Sequence, residues 1–93
     1  MVPTPQLEEG ALVVDGVRVK LTESEARVVE CLLQRQGIVV SRAELTRSLW
    51  GAPDKDAGRA VDTHIRRIRE KLHAVPGVGI ATVRMRGFRL EQR

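Results

Sequence analysis

The sequence predicts an α+β domain in which three helices lie between a small β segment at the front and a β-hairpin at the back. Three observations lead there. Two stretches open alike, Thr22 with Glu25 and Ser41 with Glu44, each a hydroxyl three residues ahead of a carboxylate at the start of an apolar run, which is the capping-box pattern. A third stretch carries Val61, Ile65, Ile68 and Leu72 at steps of four, three and four, the spacing of one helical face. Runs rich in valine, isoleucine and threonine flank this helical middle, one broken by Asp15-Gly16 and the other by Met85-Arg86-Gly87.

Taken in order, residues 1–6 (MVPTPQ) hold two prolines and no periodicity and read as a linker or boundary, so the domain is expected over 7–93. ALVVDGVRVKL reads as a hairpin, because Asp-Gly tolerates the positive φ angles of a tight turn. About twenty residues precede the first helix, which leaves room for a sheet of two or three strands. TESEARVVECLLQRQG is the first helix, with Ala26, Val29, Leu32 and Leu33 inward and Gly37 as its stop. IVV (Ile38 to Val40) is a short strand or tight connector. SRAELTRSLWG is the second helix, capped by Ser41, with Leu45 and Leu49 on one face and Gly51 ending it. APDKDA is loop, and the third helix runs from about Gly58 to His73. VPGVG breaks the chain before IATVRMRGFRL, a basic hairpin. Hairpin, helix, connector, helix, loop, helix and hairpin is the order of a winged helix-turn-helix.

Composition narrows the function. A chain of 93 residues has room for one small core, with 42% apolar and 30% charged residues. No apolar run approaches the roughly 20 residues of a membrane span, and the start has no signal-peptide pattern, so a cytoplasmic location is expected. The single cysteine, Cys31, has no partner for an internal disulfide and reads as a small hydrophobe. His64 and His73 stand nine residues apart, which is not a one-face ligand spacing, so neither metal nor cofactor is expected. The acids fall in a linker, a turn and a first helical turn, with no Ser, His and Asp set, and no enzyme activity is expected.

Charge is unevenly placed. Residues 1–33 carry three cations against six anions, a net −3, whereas residues 59–93 carry nine against three, a net +6, within an overall +4. A one-sided cationic field attracts polyanions and orients their approach. The stretch HIRRIREKLH is the centre of that field, and three readings compete for it: a solvated face, a membrane-surface helix, or a helix lying against phosphates. The membrane reading needs its apolar face left free, but Val61, Ile65, Ile68 and Leu72 are needed by the core. Arg59, Thr63, Arg66, Arg67 and Glu70 then fall on the opposite side. A guanidinium fork spans guanine O6 and N7, or two phosphate oxygens, where lysine offers a point charge. The adjacent hairpin adds Arg84, Arg86 and Arg89, so two cationic elements form a surface. Trp50, closing the second helix, reads both as a packing anchor and as an indole donor to a phosphate.

LTESEARVVECLLQRQGIVVSRAELTRSLWG, then RAVDTHIRRIREKL, then TVRMRGFRL closely resembles the OmpR/PhoB-type winged-helix effector domain of two-component response regulators, over roughly Val19 to Leu90. The resemblance implies a bacterial transcription regulator that binds double-stranded DNA, with its third helix in the major groove and its wing at the minor groove. Matched by motif, it places Arg59, Thr63, His64, Arg66, Arg67 and Arg69 on bases or phosphates, with Thr82 and Arg84 on the wing and Trp50 on a phosphate; Arg86 stands at the wing tip, where this chain departs from the motif and a cation suits a narrow minor groove. It makes the loop 51–57 a segment that can face RNA polymerase, and implies a domain that is monomeric alone and pairs in tandem on DNA. The family's wing tip reads R-G-x-G-Y, where this chain has Arg84-Met85-Arg86-Gly87-Phe88, so a single glycine must serve the turn. No receiver segment precedes the domain in these residues. Two alternatives stay open on the sequence: a winged-helix protein-interaction module, and the tail of a larger protein such as a uroporphyrinogen-III-synthase-like fusion.

Overall fold

A computed structural model describes residues 5–50, 57–75 and 77–92; for Trp50 and residues 57–59 it describes the backbone alone. Three short strands come first, β1 (Gln6–Glu8), β2 (Ala11–Val14) and β3 (Val17–Lys20). They form one antiparallel sheet in the order β1-β2-β3. Asp15 and Gly16 take φ +49° and +82° at the β2–β3 turn, the mirror-type geometry that Asp-Gly favours. Pro5 is buried, and Gln6 pairs with Val13 as the first residue of β1, because Leu7 beside it packs against the core.

Helix α1 (Glu23–Gln34) starts at Thr22 with both halves of the capping box made: the Glu25 amide donates to Thr22 Oγ1 at 3.2 Å, and the Thr22 amide donates to Glu25 Oε1 at 2.8 Å. Its inner face differs in part from the expected one. Val28, Val29 and Leu32 are buried, while Ala26 and Leu33 only flank the core, since the helix faces two neighbours and its buried stripe is turned toward Val28. Gly37 lies just beyond, at φ +80°. Cys31 is half-buried against the core; burial is the main reason its thiol is pushed up, which keeps it protonated.

Helix α2 (Arg42–Trp50) takes its first cap bond from Ser41, whose Oγ accepts the Glu44 amide at 3.1 Å. The expected return half is not made, because the Glu44 carboxylate pairs with the Arg35 guanidinium just past the end of α1. Leu45 and Leu49 are buried as expected. Helix α3 (Ala57–Leu72) buries its whole stripe, with Val61, Ile65, Ile68 and Leu72 all at 4% exposure or less. Strands β4 (Val78–Val83) and β5 (Gly87–Gln92) close the chain as an antiparallel hairpin with Val83 opposite Gly87. The two sheets and three helices share one core, running from Leu12 and Val14 through the helices to Ile80, Phe88 and Leu90.

Two contacts set where α3 and the C-terminal hairpin stand. The Glu25 carboxylate, 1% exposed, accepts the Lys71 ammonium, which ties the last turn of α3 to the first turn of α1. Val40, in the connector between α1 and α2, forms a two-way backbone bridge with Phe88: the Val40 amide donates to the Phe88 carbonyl at 2.7 Å and the Phe88 amide to the Val40 carbonyl at 2.9 Å. That bridge is why Ile38 to Val40 is strand-like over a single residue.

Candidate nucleic-acid interface

A helix turns about 100° per residue, so with the buried stripe of α3 as reference the remaining side chains fall into two groups. Arg66, Arg67, Thr63 and Glu70 point about 130° or more away from it, and Arg66, Arg67 and Glu70 are exposed while Thr63 is half-buried. Asp62 and Arg69 border the stripe on one side, His64 and Lys71 on the other, each within about 90°; Arg69, His64 and Lys71 are half-buried accordingly. The outward face of α3 therefore presents the Arg66 and Arg67 guanidiniums to solvent, with no acidic partner for either among the described residues.

The wing supplies the second cationic element. Arg84, Met85 and Arg86 are exposed at its tip, Met85 at 94%. The Arg86 amide closes the turn by donating to the Val83 carbonyl at 2.9 Å. The turn does not use its glycine in the way the motif implies. Met85 takes the left-handed position, φ +68°, where the family has glycine. Gly87 serves a different purpose: at φ +145° it brings β5 against Val40, and a Cβ there would lie 2.1 Å from the Val40 carbonyl oxygen.

The base of the wing is braced from two helices. Arg69 Nε donates to the Ile80 carbonyl at 3.0 Å, and one of its terminal nitrogens donates to the Thr82 hydroxyl at 2.6 Å. The Arg69 and Arg42 guanidinium carbons stand 5.9 and 5.1 Å from the centroid of the Phe88 ring. Arg42 is itself held by Asp62 of α3, at 3.1 Å from Nε and 3.0 Å from a terminal nitrogen. Arg69 and Thr82, expected on DNA, are thus engaged with each other in the free protein. Arg42, Asp62 and Phe88 belong to the same cluster and were not singled out by sequence; Arg42 and Asp62 lie twenty residues apart, with no periodic signal joining them.

His64 Nδ1 is buried without a hydrogen-bond partner among the described residues. Arg59 and Trp50 carry side chains outside the described residues, as does the whole of the segment 51–56.

The arrangement is an outward arginine face on one helix with an arginine-tipped hairpin braced against it. The family described as transcriptional regulatory protein, C terminal, matches residues 16–90. The chain belongs to this family, the OmpR/PhoB-type winged-helix domains. Sensory transduction protein RegX3 of Mycobacterium tuberculosis is 32% identical over 87 residues, 91% of this chain and 38% of RegX3. Transcriptional regulatory protein TcrA of the same organism is 33% identical over 98 residues, 95% of this chain and 39% of TcrA. The chain thus spans less than two-fifths of the length of these relatives. Among solved structures, the DNA-binding domain of CpxR from E. coli is 29% identical with a TM-score of 0.75, covering 97% of this chain and 92% of that one. The DNA-binding domain of response regulator AdeR, solved in complex with an intercistronic region, has the same fold, with a TM-score of 0.78 at 20% identity, covering 100% of this chain and 99% of that one.

Proposed function

We propose that this OmpR/PhoB-type domain binds double-stranded DNA with sequence preference and regulates transcription, with α3 in the major groove and the wing at the minor groove. The observation that carries the reading is the exposed pair Arg66 and Arg67 on α3 beside the exposed Arg84 and Arg86 of the wing. Arg67 reads a base, where its planar fork matches guanine O6 and N7. Arg66 and His64 meet phosphates, which fix register without reading sequence. Thr63, Arg84, Arg59 and Trp50 complete the contact set, and Arg86 at the tip suits a narrow, electronegative minor groove. The segment 51–57 faces RNA polymerase, and two copies sit in tandem on direct repeats. The working compartment is the cytoplasm; among the described residues no helix is long and apolar enough to cross a membrane. The domain carries out no catalysis of its own.

The test is selection of bound sequences from random duplex DNA, followed by titration of the variants. Arg67→Ala is expected to cost about 1 to 3 kcal/mol on the selected site and to relax preference at one base pair, while Arg66→Ala weakens all sequences alike. Unchanged selectivity in Arg67→Ala sinks the base-reading assignment. Binding should also fall steeply between about 50 and 200 mM salt. If no duplex is bound even at low salt, the domain is a protein-interaction module.

A further inference from the structure

Arg69 differs from Arg66 and Arg67, the outward arginines of α3. It borders the buried stripe, so its side chain runs along the seam between α3 and β4 instead of toward solvent. Its donors meet the Ile80 carbonyl and the Thr82 hydroxyl, and its plane lies near Phe88. Thr82 and Phe88 are opposite one another across the hairpin, so two of these contacts take hold of one rung of the wing, while the third, to Ile80, lies two residues nearer its base, opposite Leu90. Beyond that rung only the Val83–Gly87 pair and the exposed tip remain.

We propose that Arg69 is a positioning residue that braces the wing against α3, holding Arg84 and Arg86 in register with Arg66 and Arg67, and that it makes no phosphate contact of its own. This rests on the DNA-binding reading above. Turning Arg69 to a phosphate would give up its bonds to the carbonyl of buried Ile80 and to the Thr82 hydroxyl, each worth about 1 kcal/mol. A wing ordered before binding also spares the ordering entropy that a loose hairpin loses on the duplex. Lysine cannot substitute, because a point charge does not span two acceptors with the fixed geometry of the fork.

The experiment uses the selected operator, fluorescence anisotropy at several salt concentrations, and circular dichroism to confirm that each variant is folded at the assay temperature. Arg86→Ala is expected to weaken binding about tenfold in the wild-type background, but less than about threefold when combined with Arg69→Lys, since an unbraced wing no longer delivers that side chain. Arg69→Lys and Arg69→Met should behave alike, each about tenfold weaker than wild type. In the Arg84→Ala/Arg86→Ala background, Arg69→Met should leave the slope of log affinity on log salt unchanged. Thr82→Val, which removes one acceptor and no charge, should reduce the Arg86→Ala penalty in the same direction and serves if the Arg69 variants do not fold. Wild-type affinity in Arg69→Lys, a slope reduced by about one in Arg69→Met, or additive losses for Arg69→Lys and Arg86→Ala would each overturn the inference while leaving DNA binding standing. Failure of the wild type to bind any duplex removes the underlying reading instead.

Discussion

Gly87→Ala tests the joint between the wing and the helices. The added Cβ would lie 2.1 Å from the Val40 carbonyl oxygen and 2.8 Å from Ser41 Cα, both backbone atoms that cannot rotate away. The residue also holds φ +145°, a region that side chains rarely adopt, at a cost of about 1 to 3 kcal/mol. Moving the connector to relieve the overlap adds about 1 to 3 kcal/mol, and doing so stretches the two Val40–Phe88 backbone bonds, each worth about 1 kcal/mol. The expected loss is therefore about 4 to 8 kcal/mol, against a total stability of about 5 to 14 kcal/mol for a domain of this size. Urea unfolding followed by far-ultraviolet circular dichroism measures it, and the melting temperature should drop by at least about 15 °C. Gly16→Ala is the control: it too has positive φ, +82°, but nothing lies within 4 Å of a Cβ there, so only the backbone cost of about 1 kcal/mol is expected. Equal losses in the two variants, or a Gly87→Ala loss below about 1 kcal/mol, would refute the close-approach argument.

Two further expectations concern stability. Lys71→Met removes the donor to the buried Glu25 carboxylate and should cost about 2 kcal/mol at neutral pH in denaturant titrations. Burial pushes the Glu25 carboxyl up, but the Lys71 ammonium and the Thr22 amide together outweigh it and hold the group below its ordinary value of 4.5. A carboxyl lowered by folding stabilises fully above that ordinary value and loses its contribution as the pH falls through the lowered one. The gap between Lys71→Met and wild type should accordingly close in acid; a gap that is constant from pH 7 to about pH 3 contradicts the pairing. Met85→Gly should stabilise the domain by about 0.5 to 1 kcal/mol, because Met85 sits at φ +68° and its side chain is 94% exposed. A destabilised Met85→Gly in the same titration would show that the Met85 side chain has a role in the free domain.

Much of the fold is local and was therefore legible in the chain. Thr22 and Glu25 cap α1, Asp15-Gly16 turns β2 into β3, and the four-three-four stripe of α3 is buried at every position; each needs only residues a few places apart. The outward direction of Arg66 and Arg67 follows from the same period. What the chain could not show were contacts between residues distant in sequence. Glu25 reads locally as a cap, yet it is also the buried acceptor for Lys71, forty-six residues on. Glu44 reads as the second half of a capping box, yet Arg35 claims its carboxylate. Arg69 is set on bases or phosphates by the family resemblance, yet its position at the edge of the stripe turns it toward the wing in the free domain. Gly87 reads as the turn glycine, yet Met85 makes the turn and Gly87 admits the backbone of Val40. Periodicity and capping set which face of each element is apolar and where each begins, because those depend on backbone geometry within one or two turns. Only packing in three dimensions decides which polar group at the edge of a face is left to meet a partner and which is spent holding the scaffold.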